Sequence, residues 1–286
     1  MKKEISNISG VTLIELLIGV VISVVMMAAM FTSYNVVNNT YSKITDTAKM
    51  SQAGRETLGM IMKDVRMAGF KYFGDNIPYD ANEHIPILIT KQSISSDNLC
   101  DRLEIVYGDY KYDDTLKNFE YKRYKVTYQC KKDGRTDPKS GEEYWKPPQN
   151  LKILEKKKEV WIPGKPGSFA VDQNDKRTHD FEDLVYFVQD LIFAPIDENG
   201  KLISPPPSSS ANASKVNSIK IVDVLLSIRS KNEFFRLKNS RVKKALHDSG
   251  RDIKFNDKYM RETIIISAHA RNLGFWWKIK MKRGLH

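Results

Sequence analysis

The sequence predicts an α+β chain: one long N-terminal α-helix, membrane-spanning in its first half, carrying a β-rich globular head of antiparallel sheets. Three observations predict it. Val11 to Phe31 is apolar except for Thr12, Glu15, Gly19 and Ser23, close to the about 20 residues that cross a bilayer as a helix. An apolar stripe at spacings of three and four then continues to Ala68, the period of an amphipathic helix. Beyond Gly69 no long helical pattern recurs, and short runs rich in β-branched and aromatic residues, separated by turn formers, take over.

The chain opens with a short polar stretch, residues 1–10, ahead of the apolar run. A secretory signal peptide has the opposite layout, a shorter apolar region followed by a small-residue cleavage site and a polar mature start. Ala28-Ala29-Met30 offers such a site only if the whole apolar segment is lost. Glu15 is the anomaly of the run. A carboxylate inside an apolar helix costs about 2.5–3.5 kcal/mol on insertion scales, so it calls for a partner, or for a place one turn inside the helix from which it reaches the headgroups. After Phe31 come Tyr34, Val37, Tyr41, Ile44 and Ala48, and then Leu58, Ile61, Met62, Val65 and Ala68. Gly69 suits a helix C-terminus. The helix is expected over 11–69, with its transmembrane part at about 11–31. Gly54 and Gly59 are expected weak spots, each about 1 kcal/mol less favourable than Ala in a helix.

The head is expected over 70–286. Its strand-like runs are 85–89, 103–107, 121–129, 185–193, 219–228 and 263–269. The interval 131–180, which holds Pro147, Pro148, Pro163 and Pro166 with Gly134, Gly141, Gly164 and Gly167, reads as loop. Residues 204–214, with Pro205-Pro206-Pro207 and Ser208-Ser209-Ser210, read as a flexible surface loop. On this reading the head divides into a first sheet near 85–130 and a second near 184–275.

Little in the head suggests chemistry. His84, His179, His247, His269 and His286 are scattered, with no ligand pair at helical spacing. No GxSxG, Walker A or dinucleotide glycine pattern occurs. No cofactor, metal or enzymatic activity is expected, and energy for any assembly must come from a separate ATPase. Asp172-Gln173-Asn174-Asp175 and Asp197-Glu198-Asn199-Gly200 are acidic turns without EF-hand spacing. Arg66 suits a helix C-terminus, and Arg229, Arg261 and Arg271 read as solvated residues of strand faces or ends. The two cysteines, Cys100 and Cys130, lack a CxxC or Cys/His neighbourhood and are either a disulfide of an exported domain or two buried thiols. The net charge of +11, or +10 once Lys2, Lys3 and Glu4 leave with a leader, suits anionic lipid, acidic subunits or nucleic acid without choosing among them. Phe275 to Arg283 is basic and aromatic, either a frayed tail or a membrane or nucleic-acid contact.

Ser9-Gly10-Val11-Thr12-Leu13-Ile14-Glu15-Leu16-Leu17 resembles the cleavage and methylation motif of type IV prepilins and type II secretion pseudopilins. The resemblance implies that residues 1–10 are a leader cut by prepilin peptidase after Gly10, that Val11 becomes the N-methylated terminus, and that Glu15 aligns the subunit during assembly. One departure is Val11, where the family usually has Phe. Asp64-Val65-Arg66-Met67-Ala68-Gly69-Phe70 resembles the helix end of PilW-type minor pilins. Asp223 to Ser230, Arg261 to Asn272 and Leu184 to Phe193 resemble later strands of that group, whereas 71–183 match nothing in it. What this implies is a minor pilin, priming or joining a pilus with major and other minor pilins at an inner-membrane assembly platform, its head periplasmic and then in the filament or tip. A J-type pseudopilin of type II secretion is the alternative within the family. A membrane-anchored enzyme or sensor domain is the alternative outside it.

Overall fold

The structure, a computed structural model, describes residues 10–70, 85–91, 100–113, 117–137, 141–146, 151–162, 169–209, 215–233, 241–243, 253–255 and 257–273. The chain divides into two compact units, Met1–Asp46 and Thr47–His286. One helix, α1, covers Leu13–Met67 without a break. Its start and end fall slightly inside the expected 11–69 because Thr12 acts as its cap and 68–70 form a turn.

In the first unit the helix is exposed along its length. Leu13, Ile14, Leu16, Val21, Met26, Phe31 and Tyr34 are each more than half exposed, which in water would leave a continuous apolar surface. The second unit has a core. There α1 buries Met50, Gly54, Thr57, Leu58, Ile61, Asp64 and Val65, the stripe that spacings of three and four place on one face.

That stripe lies on an antiparallel sheet of β1 (Ile87–Thr90), β2 (Arg102–Asp113), β3 (Asn118–Lys132), β4 (Lys152–Trp161), β6 (His179–Ile196), β7 (Ile221–Glu233) and β10 (Tyr259–His269), in that spatial order, with β5 (Phe169–Ala170) on β4. β8 (Arg241–Lys243) and β9 (Ile253–Phe255) pair separately. The helix-side face contributes Leu103, Ile105, Tyr107, Tyr124, Val126, Tyr128, Leu154, Leu191, Val224 and Leu226 to one core cluster with α1. On the opposite face Leu151, Ile192 and Leu225 are also fully buried. Tyr144 lies over Phe187 of β6 at 5.2 Å, and its carbonyl accepts from Leu151 N–H at 2.9 Å.

Each strand-like run named from the sequence overlaps a strand, 85–89 and 219–228 each starting two residues ahead of theirs, but three expectations are corrected. The interval 131–180 holds β4, a central strand hydrogen-bonded to β3 on one side and β6 on the other. Because β4 bridges them, the two sheets expected in the head are one. In the proline-rich loop, Ile89 N–H of edge strand β1 donates to the carbonyl of buried Pro207 at 2.8 Å, and 210–214 lie outside the described residues. Gly54 is no weak spot either. A Cβ there would lie 2.5 Å from Ile264 Cδ1 and 3.2 Å from Ile228 Cδ1, so the glycine lets the helix approach β7 and β10 closely.

Cys100 and Cys130 form a disulfide with Cα atoms 5.9 Å apart. The chain at Cys100 also bridges to Leu191 of β6, and Asp101 N–H donates to the Leu191 carbonyl at 2.8 Å. The connector entering β2 is thereby tied to β3 by the disulfide and to β6 by its backbone.

Candidate functional site

The N-terminal residues singled out in the sequence converge on the start of α1. Gly10 and Val11 are exposed and precede the first helical residue. Thr12 is the N-cap. Glu15 N–H approaches Thr12 Oγ1 at 3.4 Å, Thr12 N–H donates to Glu15 Oε2 at 2.9 Å, and the Thr12 hydroxyl donates to the same oxygen at 2.8 Å. This reciprocal arrangement is a capping box, in which Thr and a Glu three residues on satisfy donors that a helix start otherwise leaves open. Glu15 therefore has a local partner, and a carboxylate accepting two bonds still has acceptor sites left for a cation.

Ser23, the other polar side chain of the apolar run, and Thr32 and Thr40 beyond it bond within the helix. Ser23 donates to the Gly19 carbonyl at 2.8 Å, Thr32 to Ala28 at 2.9 Å and Thr40 to Val36 at 2.8 Å. Such back-bonding removes the penalty of carrying hydroxyls into an apolar medium. Sequence spacing alone could have signalled the capping box, since Thr12-x-x-Glu15 is its pattern.

A second convergence lies at the other end of α1. Gly69 has φ +70° and donates its N–H to the Val106 carbonyl of β2 at 2.9 Å, while Asn272 Nδ2 donates to the Arg66 carbonyl at 2.8 Å. Asp64, one turn earlier, is buried and accepts from Tyr128 Oη at 2.5 Å and from Lys156 Nζ at 2.7 Å. Burial and the neighbouring Asp64 push the Tyr128 phenol well above its usual range. The segments 64–70 and 271–272, far apart in sequence, thus close the helix end together. Arg66 is exposed, whereas two of the later arginines depart from the solvated reading. Arg229 is buried with its guanidinium 3.7 Å from the Tyr259 ring centroid. Arg261 grips Asp257 at 2.6 and 2.5 Å and donates to Gln189 at 2.6 Å. Both sit where β7 and β10 pair, so neighbouring side chains cover them; Arg271 is exposed.

The acidic turns use their carboxylates internally. Asp197 accepts from the N–H groups of Asn199 and Lys201 at 2.9 and 2.8 Å. Asp175, 1% exposed, accepts from Tyr124 Oη at 2.7 Å and from Arg177. No cluster of three metal-ligating side chains occurs among the described residues. His84, His247, His286 and the basic aromatic tail from Phe275 lie outside them.

No family model matches the chain, and no curated protein matches it. Among solved structures it is similar to a type IV-like pilin from Thermus thermophilus, with 8% identical residues and a TM-score of 0.49 over 78% of this chain and 96% of that one. A likeness of shape at that level assigns neither family nor function.

Proposed function

We propose that this chain is a minor pilin: a subunit that is cut after Gly10, carries an N-methylated Val11, and enters or primes a type IV pilus from the inner membrane by packing its N-terminal helix against those of other pilins. The observation that supports the reading is the sequence Gly10-Val11-Thr12-Leu13-Ile14-Glu15 leading into a helix whose exposed apolar run holds a single carboxylate. The helix is long and apolar enough to cross a membrane.

The chemistry of the motif fits an alignment role. Cleavage creates an amine on Val11, a positive charge as costly in an apolar medium as the Glu15 carboxylate. Within one subunit Glu15 is occupied by Thr12, and its remaining acceptor sites can take the amine of a neighbour, neutralising both charges where each alone is unfavourable. The head then supplies contacts to other minor pilins. The work is assembly, with no catalytic step.

Intact mass and N-terminal sequence of the membrane-extracted protein, beside a Gly10→Val variant, test this reading. The expected mature chain starts at Val11 with one added methyl group, and the variant stays uncut. An uncut wild type, or one starting near Met30, would sink the reading. Glu15→Ala is expected to be cut normally yet to be absent from sheared pili.

A further inference from the structure

Beyond Trp161, the last residue of β4, strands β2 and β3 continue as a two-stranded ribbon through Tyr110↔Tyr121 and Tyr112↔Phe119. These four aromatic residues share one face, because paired positions lie opposite one another and alternate residues repeat the same side. It is the face turned away from Tyr107 and Tyr124, which belong to the core with α1. Tyr110, Tyr112 and Phe119 are 46%, 47% and 64% exposed. The rings meet edge to face, with centroids 5.5 Å apart in one pair and 5.3 Å in the other. Trp161 and Phe169, the latter 4.8 Å from Lys125 Nζ, carry the aromatic strip on toward the sheet.

The ribbon is held from its other face. Arg177 donates to Asp109 at 3.3 Å and to the Tyr124 hydroxyl, and that hydroxyl donates to the Asp175 carboxylate at 2.7 Å. The 171–178 turn therefore props the ribbon from the face opposite the aromatic strip.

We propose that this aromatic ribbon is a binding platform for an extended neutral polysaccharide, whose sugar rings lie against Tyr112, Phe119, Tyr110 and Tyr121. Three properties select that ligand class. Pyranose rings carry apolar C–H faces that suit aromatic faces and hydroxyls that suit phenols and a polar rim. On the aromatic face the strand positions beyond Trp161 are Tyr110, Tyr112, Phe119 and Tyr121, and the cations next along that face are engaged, Arg123 buried against Trp161 and Lys125 paired with Glu159 at 3.5 Å, so the cation surplus that would hold a polyanion is not gathered here. The exposed ring surface is on the order of 300–400 Å², taking about half of the 150–250 Å² such a ring carries. That is about half of the roughly 800 Å² per partner of a stable protein interface, but enough for a few sugar rings.

Saturation-transfer NMR on the full chain in detergent micelles, with β-1,4-linked glucose hexaose and β-1,4-linked N-acetylglucosamine hexaose as probes, tests the platform. At least one probe is expected to receive saturation, unaffected by salt. The Tyr112→Ala/Phe119→Ala double variant is expected to weaken that binding by about tenfold or more, the loss of two stacked rings. Phe119→Leu, which keeps an apolar side chain and so guards against misfolding, is expected to weaken it less, with an unchanged melting curve. The proposal is overturned if neither hexaose contacts the protein, or if contact survives unchanged in both variants. It is equally overturned if the ribbon variants abolish self-association or salt-sensitive binding of a single-stranded DNA oligomer while neither sugar binds.

Discussion

At the scale of single residues, the head relies on buried polar groups that answer one another. Asp175 shows how. Burial alone would raise its carboxyl, but the Tyr124 hydroxyl, the Arg177 backbone N–H and the Arg177 guanidinium hold it well below the usual carboxylate range. The same contact works in reverse on the phenol: burial first, then the bond to Asp175, push Tyr124 above its usual range. A carboxyl whose folded pKa is depressed contributes stability that is fully present above its unfolded value of about 3.9. That stability disappears as pH falls from there through the folded value. Acid melts of the full chain in detergent are therefore expected to show stability declining below about pH 4. The Asp175→Asn variant should start lower at pH 7 and lose less on acidification. An identical acid slope in wild type and variant would show that Asp175 is not among the groups that titrate with unfolding.

At the scale of elements, α1 packs by a glycine that sequence periodicity cannot interpret. Gly54 and Gly59 look alike in the chain, yet a Cβ on Gly54 would meet Ile264 at 2.5 Å and one on Gly59 would meet nothing within 4 Å. Gly54→Val is expected to destabilise by about 1–3 kcal/mol through overpacking against β7 and β10. Gly59→Ala is expected to stabilise by about 0.5–1 kcal/mol through helix propensity. Opposite signs in thermal or denaturant unfolding check the assignment; two equal shifts would mean that Gly54 is not a packing glycine. The same contrast explains what was legible in the sequence. The apolar run, the stripe ending at Ala68 and the strands with apolar alternation are one-dimensional signals and are present in the fold. β4 was hidden because both of its faces carry charge: Lys156 answers Asp64, and Lys158 lies 4.6 Å from the Tyr124 ring, with burial lowering its amine against the pull of Asp64. On the other face Glu155 meets Lys131 and Glu159 meets Lys125. Alternation vanishes when each face has polar partners waiting. The Gly10 to Glu15 motif was legible because it is linear, whereas the Asn272 bond to Arg66 and the Asp64, Tyr128 and Lys156 contacts join positions that only folding brings together.

At the scale of the whole head, the sheet depends on a connector that local pairing does not secure. Between β1 and β2 the chain passes Cys100 and Asp101. The Asp101 carboxylate, fully buried, accepts from Phe193 N–H of β6 at 3.1 Å and pairs with Lys91 at 2.8 Å. On the other side, Cys100 is bound to Cys130 of β3, 30 residues away. Because β4 lies between β3 and β6, these ties link two strands that do not pair with each other. Closing a loop of this length restricts the unfolded chain by about 3–4 kcal/mol. For a domain of this size each kcal/mol shifts Tm by about 2–4 °C, so reduction is expected to lower Tm by roughly 10 °C. The Cys100→Ser/Cys130→Ser double variant should melt with the reduced wild type and ignore added reductant. A reduced wild type that melts with the oxidised protein would mean that Asp101 and its bonds to β6 hold the connector unaided. A double variant that melts well below the reduced wild type would instead trace the difference to packing of the two sulfurs, since Cys100 is 2% exposed and a hydroxyl there would be buried among apolar neighbours.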